Sequence, residues 1–224
     1  MPLSRALFMI HERIPVAIVT AKDYDFVHGR TPFADAWSCV YGIETVVRGR
    51  ATKLIRHRKD LATAVALVEG IKPHAFIEYK RTSGGELCGF CAEWKPAPRP
   101  ENGEVDAVAR RIEGLGFKVL HSPSDPMFDV LSRDSDKGAA VTILQKILRK
   151  KDGVIFIGDS PDDNPGFAVA EVGIGVVSEE SVQDLKCDYF VSKDHLAQFL
   201  RALSMNDLTF SEQLPWIVRR EVTN

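Results

Sequence analysis

The chain has 224 residues, enough to bury a full core either as one large domain or as a domain carrying an insertion. Its 29 Lys plus Arg stand against 31 Asp plus Glu, a balance that does not favour a nucleic-acid footprint. No stretch approaches the run of about 18 apolar residues that a membrane helix needs. The apolar run at 7–10 is short and is followed by charge rather than by a small-residue cleavage site, so a cytoplasmic protein is the expectation.

Leu3, Leu7 and Ile10 recur at helical spacing, which predicts a helix packed on a sheet, and Pro15 ends the pattern. Val16, Ala17, Ile18 and Val19 then run without polar alternation into Thr20. This reads as a parallel strand covered on both faces, with a hydroxyl at its C-terminal tip. Thr20 can there hydrogen-bond a phosphate oxygen or cap the helix that follows, and the two roles are compatible. Beyond it come Asp23 and Asp25, a strand candidate at 42–47, and a basic patch at 53–58 that reads equally as a solvated surface.

From about residue 59 the pattern changes to an inserted unit. Leu61, Val65 and Val68 keep a helical period that Gly70 stops. Strands at 74–81 and 86–94 are joined by TSGG, a connection with strong turn chemistry. A proline-rich loop at 95–103, an amphipathic helix at 105–115 stopped by Gly114 and Gly116, and short strands at 117–120 and 128–131 complete it. Of the four cysteines, Cys88 and Cys91 form a Cys-x-x-Cys pair with no second pair or His spacing to complete a zinc site. They fall in a strand, which predicts buried or half-buried free thiols on opposite faces.

Asp136, Lys137 and Gly138 open the next helix, whose apolar face is Val141, Leu144, Ile147 and Leu148. Lys137 stands in its first turn, where the helix dipole disfavours a cation. It makes better sense facing a phosphate or carboxylates, the other reading being an exposed lysine whose stem covers apolar surface. Residues 153–167, GVIFIGDSPDDNPGF, then carry a second continuous apolar run into Gly158 and three aspartates, Asp159, Asp162 and Asp163. Carboxylates crowded so closely repel unless a cation or proton compensates, and Mg²⁺ is the simplest compensator. The other reading is a strand-to-helix loop in which one Asp caps the helix. Short strands at 173–177 and 187–191, a helix at 196–203 and a loosely packed tail at 204–224 follow.

Strand-ending Thr20, helix-opening Lys137 and the strand followed by GDSPDD stand in the order of motifs two, three and four of the haloacid dehalogenase-like (HAD) phosphatases. With the SDKGAAVTILQKIL block and the intervening cap, the chain resembles the C2-capped sugar phosphatases, especially those acting on trehalose 6-phosphate, mannosyl-3-phosphoglycerate and sucrose phosphate. The resemblance implies an α/β fold: a HAD-like Rossmannoid parallel sheet core at 1–49 and 130–203, an inserted α/β (C2-type) cap at 50–129, and the tail. It implies a Mg²⁺-dependent sugar-phosphate phosphatase acting through an aspartyl phosphate. By the same resemblance Thr20 binds a phosphoryl oxygen and Lys137 holds nucleophile and phosphate together. Asp159 and Asp163 hold Mg²⁺, Asp162 supports the loop or a metal-bound water, and Glu78, Lys80 and Arg81 meet the sugar.

The family's first motif, a strand ending in Asp-x-Asp, is not found in its place. Only 19 residues precede Thr20 and none is an Asp, while Asp23 and Asp25 are set off from the strand end by two residues. The expectation is a chain that begins late, or a degenerate relative, inactive as written and lacking the central strand of its sheet. The alternative, from a different class, is a non-catalytic phosphosugar-binding or regulatory domain, such as the phosphatase-like half of a larger synthase.

Overall fold

The computed structural model describes residues 2–48, 50–54, 61–94, 100–121, 127–148, 153–178 and 184–220. Its first elements follow the apolar pattern closely. Helix α1 (Leu3–His11) buries Ala6 and Ile10, and strand β1 (Ala17–Val19) follows. Helix α2 (Tyr24–His28) is capped by Asp23, whose carboxylate accepts the Phe26 N–H at 3.0 Å. Asp23 and Asp25 therefore belong to a helix start. Strand β2 (Ala36–Cys39) lies parallel to β1, with Ala17 opposite Ala36. Strands β3 (Glu44–Val47) and β4 (Arg50–Leu54) extend this sheet antiparallel. Strand β4 thus pairs with β3 and not with the sheet of the insertion.

The insertion comprises α3 (Ala62–Glu69), β5 (Phe76–Arg81), β6 (Leu87–Glu93), α4 (Asn102–Gly114), β7 (Lys118–His121) and β8 (Met127–Leu131). Its strands form one antiparallel sheet in the order β5-β6-β8-β7. One face is closed by the helices: Phe90, Ala92, Trp94, Phe128 and Val130 pack with Val68, Val105 and Ile112. Directly paired residues share a face, so Glu78, Cys91 and Asp129 form one row on the other face. The expected opposition of Cys88 and Cys91 does not occur. The β5–β6 pairing shifts register between Lys80 and Arg81, a bulge that adds a residue to the strand. Cys88 consequently packs with Cys39 and Leu131 on the side Cys91 also faces. Both are buried free thiols.

The chain returns to the core through α5 (Lys137–Leu148), β9 (Ile155–Gly158), α6 (Asn164–Phe167), β10 (Val172–Val177), β11 (Tyr189–Ser192), α7 (Leu196–Met205) and β12 (Ile217–Arg219). Strands β9, β10 and β11 are parallel, and β12 adds antiparallel to β11. The described part of the tail is therefore packed, not loose: β12 completes a sheet edge, and Leu214 is buried with Phe199 and Leu203. Residues 55–58 of the basic patch and 95–99 of the proline-rich loop lie outside the described residues. Among the described residues no helix is long and apolar enough to cross a membrane.

The core sheet is in two pieces, β1-β2-β3-β4 and β12-β11-β10-β9. No pairing joins β1 to β9, so the two strands that the sequence marks as most apolar are both edges. Every residue of β1 is only half-buried, and in β9 only Phe156 is buried, whereas all four residues of β2 are. The expected cover on both faces is present in the helices, but each strand lacks a neighbour on one side.

Candidate functional site

The acidic loop is organised by a carboxylate turned inward. A Cβ on Gly158 would lie 2.4 Å from Asp163 Cγ, so the absence of a side chain at Gly158 lets the Asp163 carboxylate fold back over the strand end. There its Oδ2 accepts the N–H groups of Asp159 and Ser160, both at 3.0 Å, and the Ser160 hydroxyl at 3.1 Å. Its Oδ1 accepts Lys137 Nζ at 2.7 Å. Asp163 is 4% exposed and Lys137 9%, while Asp159 and Asp162 are exposed.

Lys137 is placed by two contacts of the helix it opens. Asp136 caps α5 by accepting the Ala139 N–H at 2.8 Å. A Cβ on Gly138 would lie 2.5 Å from the Pro165 carbonyl oxygen, so the α5 backbone touches that of α6 and brings Lys137 beside the acidic loop. The ammonium is thus committed to a carboxylate, one of the two partners its position in the first turn called for.

Thr20 is half-buried, and its hydroxyl oxygen accepts the Lys22 N–H at 3.1 Å, the local turn role. Its carbonyl accepts the Tyr41 N–H at 3.0 Å. Tyr41 sits in a left-handed turn, with φ of +47° at Val40, +55° at Tyr41 and +91° at Gly42. Its hydroxyl lies 2.7 Å from Asp129 Oδ2 of the cap and 3.0 Å from Asp162 Oδ2 of the acidic loop. Burial, with the two carboxylates beside it, holds the Tyr41 phenol neutral far above its ordinary range. This contact also brings the C-terminal ends of β2 and β9 together, so Thr20 and the acidic loop share one edge of the core.

Cap and core are tied by polar contacts. Lys80 Nζ donates to the Ala21 carbonyl at 3.1 Å and lies 3.0 Å from Asp129 Oδ1, both side chains nearly inaccessible. That second contact is ionic rather than an aligned hydrogen bond, since Asp129 Oδ1 has no hydrogen-bond partner among the described residues. Lys22 pairs with Glu78 at 2.8 Å, and buried Glu44 accepts the Ser83 N–H and hydroxyl at 2.9 and 2.6 Å. Glu78 and Lys80 therefore face the core. Arg81 does not join them; it donates to the Gly85 carbonyl within its own turn. Sequence reasoning missed Tyr41, Asp129, Lys22 and Glu44. A lone Asp inside the apolar run MFDVL was the available signal for Asp129, because a carboxylate there must find a partner. Nothing local marks Tyr41.

For Mg²⁺ the donor set is partial. Both Asp163 oxygens are engaged by Lys137 and the loop, and among the described residues no group of three His, Cys, Asp or Glu could hold a metal ion. Asp159 and Asp162 remain as carboxylates open to solvent. This suits a cation that keeps most of its shell from water and phosphate and takes one or two carboxylates, and it does not suit an all-protein cage.

No family model matches the chain. Solved structures do. The chain superposes on the C. albicans trehalose-6-phosphate phosphatase C-terminal domain with a TM-score of 0.69 at 12% identity, covering 90% of this chain and 82% of that one. The HAD subclass IIB sugar phosphatase BT4131 gives 0.65 at 14% identity, with 93% of each chain covered. The HAD phosphatase BT1666 of Bacteroides thetaiotaomicron gives 0.63 at 17% identity, covering 92% and 87%. The chain has the HAD phosphatase fold. At these identities the likeness is one of architecture, and no pairing joins β1 to β9 in the core. Over 143 residues the sequence is also 27% identical to a protein described as the probable copper-transporting ATPase SynA of Synechococcus, 56% of this chain and 18% of that one. The chain thus spans less than a fifth of the length of the curated relatives it matches.

Proposed function

We propose that this HAD-like site binds Mg²⁺ and the phosphate of a sugar phosphate, and is the phosphatase machinery of that fold without its attacking carboxylate. The observation that carries the reading is Lys137, a buried ammonium oriented by Asp163 at the edge where Thr20 and the acidic loop meet. Lys137 offsets the charge of a phosphoryl group, and its pairing with Asp163 fixes where that charge acts. Thr20 uses its hydroxyl oxygen as an acceptor for Lys22 and keeps its O–H free to donate to a phosphoryl oxygen. Asp159 is the carboxylate placed to hold Mg²⁺, which when bound supplies charge stabilisation to the transferring phosphoryl group. Asp163 positions the loop and the lysine rather than the metal, and Asp162 supports the loop through Tyr41. In the cap, Glu78 is half-exposed and is the residue available to the sugar, while Lys80 is occupied in holding the cap. Asp23 caps a helix and Asp163 is turned inward, so neither is free to attack phosphorus. The reading is binding of a sugar phosphate at this site, with a trehalose-type disaccharide phosphate as the leading ligand.

The test is calorimetric titration with trehalose 6-phosphate, other sugar phosphates and inorganic phosphate, with and without Mg²⁺, alongside a phosphate-release assay. Lys137→Ala should weaken phosphate binding about tenfold or more, the loss of one charge-assisted hydrogen bond. Asp159→Asn should remove the dependence on Mg²⁺. Phosphate binding unchanged by Lys137→Ala removes the reading.

A further inference from the structure

Strand β12 is the outer edge of its sheet, and among the described residues no strand pairs with its other side. Its pairing with β11 fixes what that side offers. Arg220 donates its N–H to the Asp188 carbonyl at 2.9 Å while Arg219 stands opposite Tyr189, so 219 is a non-hydrogen-bonded position and Val218, opposite Phe190, a hydrogen-bonded one. The N–H and C=O of Val218 are thus spent on β11, whereas those of Ile217 and Arg219 point away from the sheet. The side chains at this edge are equally open. Val218 is 68% exposed and Trp216 48%. Trp216 has a φ of +76°, which a bulky residue adopts only under constraint, and its ring is braced from one side by His195, stacked at 4.3 Å and 17°. A strained backbone here holds a large aromatic ring out in solvent.

We infer that β12 is a two-fold interface, at which a second copy of this chain adds its own β12 antiparallel and joins two four-stranded sheets into one. An axis through Val218 sets Ile217 of each copy opposite Arg219 of the other. These are the two residues whose backbone groups point outward, and each such pair exchanges both N–H···O bonds, so the outward groups are satisfied in both copies. Val218 then meets its own counterpart in the central non-hydrogen-bonded pair, where side chains approach most closely. Arg220 comes beside the open face of the other copy's Trp216, an arrangement for cation–π contact. Charge favours a second copy over an arbitrary strand. Arginines at an edge deter pairing, but in this register each faces an apolar or aromatic residue and never another arginine directly. Each also has a carboxylate in its own chain: Arg219 Nη1 lies 3.5 Å from Glu212 and Arg220 Nη2 3.9 Å from Asp184. So short a ladder makes a small interface and a dimer that depends on concentration. The inference rests on this edge and not on the phosphate chemistry proposed above.

Sedimentation velocity of the full chain, from about 5 to about 500 μM, should show a reversible monomer–dimer equilibrium. Arg219→Pro removes an outward N–H and no bond to β11, and should leave only monomer. Arg219→Ala keeps that N–H and should still dimerise. Trp216→Ala should weaken the dimer about tenfold or more. With oxidised glutathione, Val218→Cys should cross-link into a covalent dimer, because a non-hydrogen-bonded pair on the axis has the Cα separation of a disulfide. Arg219→Cys should not, since its counterpart lies two positions further along the ladder, beyond the roughly 7 Å limit. If Arg219→Pro fails to fold, the Val218→Cys cross-link decides. Monomer throughout the concentration range overturns the inference. So does a dimer that persists in Arg219→Pro without a Val218→Cys cross-link, which puts the interface elsewhere. Slow amide exchange at Ile217 and Arg219 in the dilute monomer overturns it too, because the chain then covers this edge itself.

Discussion

The cap sheet and the core sheet differ in how far their sequences are satisfied. In the cap, four antiparallel strands pair without interruption, one face is sealed by α3 and α4, and Phe90, Ala92, Phe128 and Val130 are almost fully buried. In the core, the more apolar strands are the less buried ones: β1 and β9 are half-exposed although nothing in their sequences provides for water. Hydrophobicity measures the environment a strand is suited to, and neighbours decide whether it gets it. The inserted unit supplies all its own neighbours within about 70 residues, whereas the core must bring together pieces from both ends of the chain.

Truncation of packed side chains should break the comparison most strongly. Phe90→Ala in the cap is expected to cost about 3–5 kcal/mol in urea unfolding, against about 1 kcal/mol for Ile18→Ala in half-exposed β1. Alkaline titration comes next. Burial pushes the thiols of Cys39, Cys88 and Cys91 up to about 12 from an ordinary value of 9.0. The unfolded chain loses these protons first, so the stability they contribute is whole below pH 9 and is lost as pH rises through 9 to 12. Each thiol contributes a slope of about 1.4 kcal/mol per pH unit, and Cys91→Ala should flatten the profile by that amount, measured as the urea midpoint from pH 8 to 11. The smallest effect is expected at the exposed tie between the units. Glu78→Ala, which breaks the Lys22 pair, should change stability by no more than about 1 kcal/mol in the same assay.

Much of the architecture was readable because it is local. The run of 154–157, the helical period of Leu61, Val65 and Val68, and the TSGG turn are each set by neighbours in sequence, and all become the expected elements. Lys137 was legible as an anomaly, a cation in the wrong turn of a helix, and its buried pairing with Asp163 explains it. The division of labour among the aspartates was not legible. Which carboxylate turns inward depends on the space that Gly158 leaves, a property of backbone approach and not of residue type. The pairing of Tyr41 with Asp129 was invisible for a different reason, since residues 88 positions apart carry no periodic relation. The opposed faces assigned to Cys88 and Cys91 failed at a single irregular position, where strict alternation stops holding.

The Tyr41 hydroxyl has one hydrogen and two carboxylates within reach, Asp129 at 2.7 Å on the cap and Asp162 at 3.0 Å on the acidic loop. A single hydrogen cannot be given in full to both, so the cap and the acidic loop compete for it through a hydroxyl of the core. Lifting the cap would withdraw one competitor and leave the hydroxyl to Asp162. The strength with which Tyr41 holds the acidic loop is therefore set in part by a carboxylate on the inserted sheet.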